Sequence, residues 1–242
     1  DERVTAENFK AGQCDAAGIS TMRARQFNLF MGSIEAVGGV TTYEQLRLLL
    51  RTLLDPKIVP LTITEPYQIL GVLPVGGTYI HVRDRAINSI EKAAGKKIAV
   101  IDWDKSQAEI VNKIGAHPVP ANLSNFANLF NNGQVDIIVA PALVFRPFEL
   151  NRGLGETGGI YRLPLTQMTA SFVINRDRLK KKLPDLDDKL AAFRSIAEQF
   201  VDQILTQTYK SIDAAEADIP SKYWLTVEPE NEQKYWNMLR DA

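Results

Sequence analysis

The stretch from Ala121 to Phe148, ANLSNFANLFNNGQVDIIVAPALVFRPF, constrains the fold most, because the chain states it twice. Displaced by 121 positions without a gap, Ala6, Phe9, Gly12, Gln13, Asp15, Arg25 and Phe27 fall on Ala127, Phe130, Gly133, Gln134, Asp136, Arg146 and Phe148. That is seven identities over 27 aligned positions, and they sit where geometry is most demanding. In both copies an amphipathic segment ends at a Gly, the residue that takes the left-handed position after a helix. Gln-x-Asp follows, then a small apolar strand, AAGI in one copy and IIVA in the other, then a polar loop with Arg and Phe. One helix–Gly–strand–loop unit, used once in each of two lobes, accounts for the pattern. Ligands of open α/β sheets sit beyond the carboxyl ends of strands. The loops Ser20–Phe27 and Pro141–Phe148 are therefore expected to face each other across a cleft.

The remaining segments read as alternating strands and helices. Residues 1–11 form a helix closed by Gly12, and a capping box at Thr41-Thr42-Tyr43-Glu44 opens a helix that stops before Pro56. Strands are expected at Tyr67–Leu73 and Tyr79–Val82, around a turn at Pro74-Val75-Gly76-Gly77. A short helix at Ala86–Ala94 ends at Gly95, the buried strand KKIAVID follows, and Ser106–Ile114 is a helix closed by Gly115. His117–Val119 is extended, 124–132 and 135–140 are the repeated helix and strand, and Ile160–Leu163 and Met168–Asn175 are strands. Leu186, Leu190, Phe193, Ile196, Ala197, Phe200, Val201 and Ile204, three and four residues apart, mark a long amphipathic helix. Pro229 starts a terminal helix carrying Tyr235, Trp236 and Leu239. Alternation of this kind means α/β with mostly parallel pairing.

Charge and composition exclude several function classes. A formal charge of −1 is not that of a nucleic-acid binder, and 45% apolar with 24% charged residues is ordinary for a globular protein. No apolar run is long enough to span a bilayer, and no signal peptide opens the chain. Cys14 reads as a small buried residue, with a disulfide partner in a missing segment or a reactive thiol as the alternatives. Gly153-Leu-Gly-Glu-Thr-Gly158 fits G-x-G-x-x-G but lacks the preceding strand a dinucleotide site needs, so it reads as a flexible loop. Lys180-Lys-Lys182 reads as a solvated helix approach. With only His81 and His117, and no H-E-x-x-H, G-x-S-x-G or paired cysteines, no catalytic or metal constellation is visible and no cofactor is expected.

Four runs carry a family resemblance: RAINSI at 85–90, Gly-Lys-Lys-Ile-x-Val at 95–100, Ile-Gly-Ala-x-Pro-Val-Pro at 114–120, and Asn-x-Gln-Val-Asp ahead of Pro141. In order and spacing they resemble the DctP-like solute-binding receptors of tripartite ATP-independent periplasmic (TRAP) transporters. In particular they resemble the atypical members labelled "RND-type efflux pump involved in aminoglycoside resistance". The resemblance also covers residues 1–40 and the long helix after Leu183. It implies a two-lobe, type II-like periplasmic-binding-protein fold with mostly parallel sheets and a long C-terminal helix. Lobe boundaries are then expected at 1–78 and 79–166, with a crossover strand and long helices in 167–242. A periplasmic location, a small-molecule ligand and membrane permease subunits as partners are implied too. Family members begin with a further strand and helix, so the chain reads as a fragment whose first lobe is truncated.

The resemblance also shows departures. The family's ligand-carboxylate arginine falls on Ala99, a second pocket arginine on Tyr79, a cleft asparagine on Ala140 and a cleft glutamate on Ser20. A bidentate arginine fork is the strong way to hold a carboxylate, and its loss points to a neutral or cationic ligand. The expected ligand contacts are Ser20, Thr21, Arg25, Tyr79, Asp102, Trp103, Pro141 and Arg146. Asp104 reads as a helix cap, and Asp102 as either cap or ligand contact. Trp103 either stacks on a ring or packs, and Arg25 and Arg146 either bridge the lobes or clamp the ligand. A non-enzymatic solute-binding protein is the first reading. The second is a soluble accessory protein of drug resistance that binds a cationic drug or a membrane partner; a pump itself would need membrane spans.

Overall fold

A computed structural model of the chain describes residues 2–36 and 38–240, without the side chains of 238–240. In chain order the elements are α1 (Glu2–Lys10), β1 (Ala16–Ser20), α2 (Thr21–Ala24), α3 (Tyr43–Thr52), β2 (Ile63–Thr64) and β3 (Tyr67–Val82). Then come α4 (Ile90–Ala93), β4 (Lys97–Ile101), α5 (Lys105–Lys113), β5 (His117–Ala121), α6 (Phe126–Asn131) and β6 (Ile137–Pro141). The last are α7 (Leu150–Leu154), β7 (Gly159–Tyr161), β8 (Gln167–Asn175), α8 (Arg176–Lys182), α9 (Leu186–Asp218), β9 (Trp224–Leu225) and α10 (Pro229–Arg240). They gather into two compact units, Asp1–Gly76 with Thr166–Ile212 and Gly77–Leu165 with Asp213–Ala242.

The sequence repeat is a structural repeat at the same displacement. Strand β1 maps onto β6 residue for residue. Gly12 and Gly133 have φ of 77° and 72°, the left-handed conformation a Cβ would strain. Around them the backbone bonds match: Gly12 N–H donates to Phe9 and Gln13 N–H to Asn8, as Gly133 does to Phe130 and Gln134 to Leu129. This is a Schellman closure in both units, satisfying carbonyls the helix end leaves open. Ala6 and Ala127 are buried, and Phe9 and Phe130 are fully so.

In the first unit Phe9, Phe27 and Tyr67 form an aromatic cluster with centroids 4.9–5.5 Å apart. It sits in a core with Ile19, Met31, Ile34 and Val173. Strand β1 pairs antiparallel with β8, Gly18 opposite Phe172. In the second unit Phe130 packs with Ile138, Leu150, Leu154 and Ile160. There β4 pairs parallel with β5 and with β6, whereas β3 runs antiparallel to β6 and β7.

Pairing is thus mixed rather than mostly parallel. Parallel neighbours need a crossover, and helices α5 and α6 supply one in the run β4–α5–β5–α6–β6, but β1, β3 and β8 come from distant segments. The expected turn at Pro74–Gly77 is also corrected: β3 is one strand of 16 residues running through it. Gly76, at φ 125°, lets the strand bend where the Ile212 side chain comes within 3.2 Å of the site a Cβ would fill. The capping box lies one residue later than the spacing suggests, with Thr42 and Gln45 bonding each other's backbone N–H. Helix α4 starts at Ile90, because Ser89 caps it. Cys14 is exposed, not buried. The Gly153–Gly158 segment is no open loop: its first two residues end α7, and Gly158 is packed against the Leu154 and Val82 carbonyls. Of the apolar residues that mark α9 in the sequence, Leu186 is buried whereas Phe193, Ile196, Phe200 and Ile204 are exposed. In α10, Leu239 belongs to the described helix, but its side chain lies outside the described residues.

Candidate functional site

In the second unit the expected contacts gather at the carboxyl edge of the parallel strands. Ile98 pairs with Ile137, and the two strands run on to their carboxyl ends, β4 at Ile101 just before Asp102 and β6 at Pro141. The chain turns sharply after β4: Asp104 N–H donates to Ile101 O at 3.0 Å and Asp102 N–H to Ala121 O at 2.8 Å. The Gln107 side chain reaches back to accept from Ile101 N–H at 3.1 Å. Asp104 is consumed by capping, its Oδ1 accepting from Ser106 N at 3.1 Å and Gln107 N at 3.4 Å. Asp104→Ala should therefore cost about 1 kcal/mol in equilibrium denaturation, with Asp104→Asn recovering most of it. Asp102 stays exposed, and Trp103 presents 37% of its surface. This turn thus places an exposed carboxylate beside a partly exposed indole.

The other expected contacts in this unit already have partners. Tyr79 is buried opposite Ala140, its hydroxyl donating to Glu216 at 2.7 Å and its ring edge-on to Trp224 at 5.1 Å. Arg146 grips both oxygens of Asp218. Pro141 is buried and leads into a 3-10 turn at Ala142–Val144. Ala99 is half-buried and Ala140 buried, so these two positions offer no charged group.

In the first unit the equivalent strand end is built differently. Ser20 caps α2, its Oγ accepting from Arg23 N at 3.1 Å, while its own N–H donates to Glu2 at 2.5 Å. Thr21 is fully buried and shares a 2.7 Å hydrogen bond with Ser171. Arg25 lies against Gly32. Phe27 is buried where its repeat partner Phe148 is 39% exposed, so the two copies diverge after the strand.

Two buried titratable groups escaped the sequence reading. Glu35 is 7% exposed, and its Oε1 accepts from Thr169 N–H at 2.5 Å and Thr169 Oγ1 at 2.7 Å. Burial pushes its carboxyl up to about 7. His81 is fully buried, Nδ1–H donating to Tyr79 O at 2.9 Å, with no partner for Nε2 among the described residues. Burial holds its imidazole down to about 4. The only signal for either was a polar letter inside an apolar run, IEA and YIHV.

A shallow groove of about 400 Å³ lies between α6 and α7, lined by Leu123, Asn128, Asn131, Phe148 and Arg152 among others, and includes none of the expected contacts. Among the described residues no group of three His, Cys, Asp or Glu could hold a metal. No described helix is long and apolar enough to cross a membrane.

Sequence comparisons with known proteins agree on one family. The sequence model described as "Solute-binding protein AdeT 1/2" matches residues 1–242. The probable solute-binding protein AdeT1 of Acinetobacter baumannii is 41% identical over 243 residues, covering 100% of this chain and 76% of that protein. Among solved structures, a TRAP periplasmic solute-binding protein from Haemophilus influenzae with bound L-gulonate superposes with a TM-score of 0.81 at 11% identity. That likeness covers 99% of this chain and 77% of the other. The periplasmic ectoine-binding protein of a Halomonas elongata TRAP transporter gives 0.78 at 14%, covering 100% and 77%. At such identities these likenesses establish the fold.

Proposed function

Starting from the fact that the chain belongs to the solute-binding protein AdeT 1/2 family, we propose that it is a periplasmic receptor. On this reading it captures a small polar solute that is not a carboxylate and passes it to the permease subunits of a transporter. The observation that carries the proposal is the turn after β4, where Asp102 is exposed and Trp103 partly so, while Asp104 caps its helix. An indole face stacks on sugar rings or attracts cations, and a carboxylate accepts hydrogen bonds or pairs with an ammonium. Neither favours an organic acid. Ser20, Thr21, Arg25, Tyr79, Pro141 and Arg146 are the remaining proposed contacts. A ligand at Tyr79 or Arg146 has to compete with Glu216 or Asp218.

A second reading rests on the same turn: the solute is a cationic drug, and the protein serves drug resistance as a soluble accessory. Both readings are tested by a thermal-shift screen against organic acids, sugars, amino acids, polyamines and aminoglycosides. A true ligand at a hundred times its dissociation constant adds about 2.7 kcal/mol. Sugars should shift the melt, and Asp102→Asn or Trp103→Ala should remove the shift. Polyamine or aminoglycoside shifts that persist at physiological salt select the drug-binding reading, since nonspecific attraction is screened away. Shifts from organic acids alone would refute the ligand class, and no shift with a cooperative melt would refute solute capture.

A further inference from the structure

Helix α9 carries an apolar stripe that the described residues leave exposed. Phe193, Ile196, Phe200 and Ile204 are 52%, 54%, 49% and 45% exposed. At 100° per residue they lie on one face of the helix. The wider pattern, Leu186, Leu190, Phe193, Ala197, Phe200, Ile204, advances in alternating steps of four and three. That period keeps one seam facing a second helix along its whole length, the requirement of a coiled coil. Leu186 is buried by the protein itself and Leu190 half-buried, so the open part of the seam runs from Phe193 to Ile204.

We propose that this stripe is a self-association surface: two copies pair antiparallel through α9 about a two-fold axis between residues 198 and 199. An isologous contact needs a patch complementary to itself, and this seam meets that requirement. Turned end for end about that axis, Phe200 of each copy faces Ala197 of the other, and Phe193 faces Ile204. Large side chains oppose small ones, so the layers interdigitate. A parallel pair would stack Phe200 on Phe200 and leave a gap between the two alanines. Ile196, Val201 and Gln203 flank the seam together with the charged Arg194, which faces Gln203 of the other copy; Gln207 continues the seam, and Lys189 and Lys210 lie beyond its ends. Four half-exposed side chains per copy, at ~200 Å² each when fully exposed, remove roughly 800 Å² of apolar surface from water when paired. That is about half of a standard interface, with Leu190, Ala197 and the flanking side chains adding to it, so the dimer is weak and concentration-dependent.

Sedimentation velocity over about a hundredfold range of concentration tests this, with reductant present because Cys14 is exposed. The mass should rise from monomer towards dimer. Phe193→Glu with Phe200→Glu should leave a monomer throughout, with the melt retained. Ala197→Phe should weaken the dimer at least about tenfold, and Ala197→Phe with Phe200→Ala should restore it. That size exchange also decides the matter if the glutamate variant fails to fold. The proposal is overturned by a monomer at every concentration, including one that binds anionic vesicles instead. It is equally overturned by a dimer indifferent to the glutamates, or by a size exchange that fails to restore association.

Discussion

Glu35→Gln should turn a protein in which Glu35 and His81 offset each other between pH 4.5 and 6.5 into one that weakens steadily on acidification. The sign follows from proton counting. Glu35 titrates near 4.5 when unfolded and about 7 when folded, so in that window the folded state holds the extra proton. Its contribution is complete below pH 4.5 and is lost as pH rises through 7. His81 runs the other way: 6.5 unfolded and about 4 folded, so the unfolded state holds the extra proton. Its contribution is complete above pH 6.5 and is lost as pH falls through 4. Each displacement is worth about 3 kcal/mol. When the chain unfolds as a whole, the two slopes cancel where the windows overlap. Glutamine keeps the acceptor that Thr169 uses, so the variant should fold and expose the histidine slope alone. His81→Gln should show the mirror image, weakening from pH 4.5 to 7. Denaturant unfolding at half-unit pH steps reads both. Wild-type and Glu35→Gln curves of the same shape would refute the assignment.

Phe9→Ala and Phe130→Ala should each cost about 4 kcal/mol, among the largest single losses available to this chain. Both rings are fully buried one turn before a Schellman closure, and both anchor a helix onto the strand that follows it. Removing Phe9 takes away the ring that meets both Phe27 and Tyr67. Removing Phe130 opens a void against Gly153, where the ring lies so close that even a methyl group would collide with it. Equilibrium unfolding of the two variants gives the comparison. A loss below about 1 kcal/mol at either position would mean that the ring does not anchor its helix to the strand that follows.

The repeat was legible because its determinants are local. A glycine that must turn left-handed, a ring six residues upstream of Asp15 or Asp136, and a strand that starts four residues beyond the glycine all fall within one short window. The turn read into Pro74–Gly77 failed because composition is a local signal, and what keeps β3 extended there is distant: Ile212 over Gly76 and β6 along Tyr79. The burial of Glu35 by Thr169, 134 residues away, is illegible for the same reason. At the candidate site, the capping role of Asp104 could be read from its place before α5. That Tyr79 and Arg146 are held by Glu216 and Asp218 could not, because those partners enter from the far end of α9.

The division of the chain between its two units bears on the order in which it can fold. Each unit is made of two separated segments, and neither is complete until late in the chain. Strand β1 pairs with β8, which emerges about 150 residues later, and the second unit still lacks its last segment until residue 213 has passed. The N-terminal half therefore leaves the ribosome with strands whose partners do not yet exist. Such long-range pairing slows folding and prolongs exposure of unpaired edges. A nascent chain of this design completes neither unit before Thr166–Ile212 has emerged, and a truncation at Thr166 removes part of both units at once.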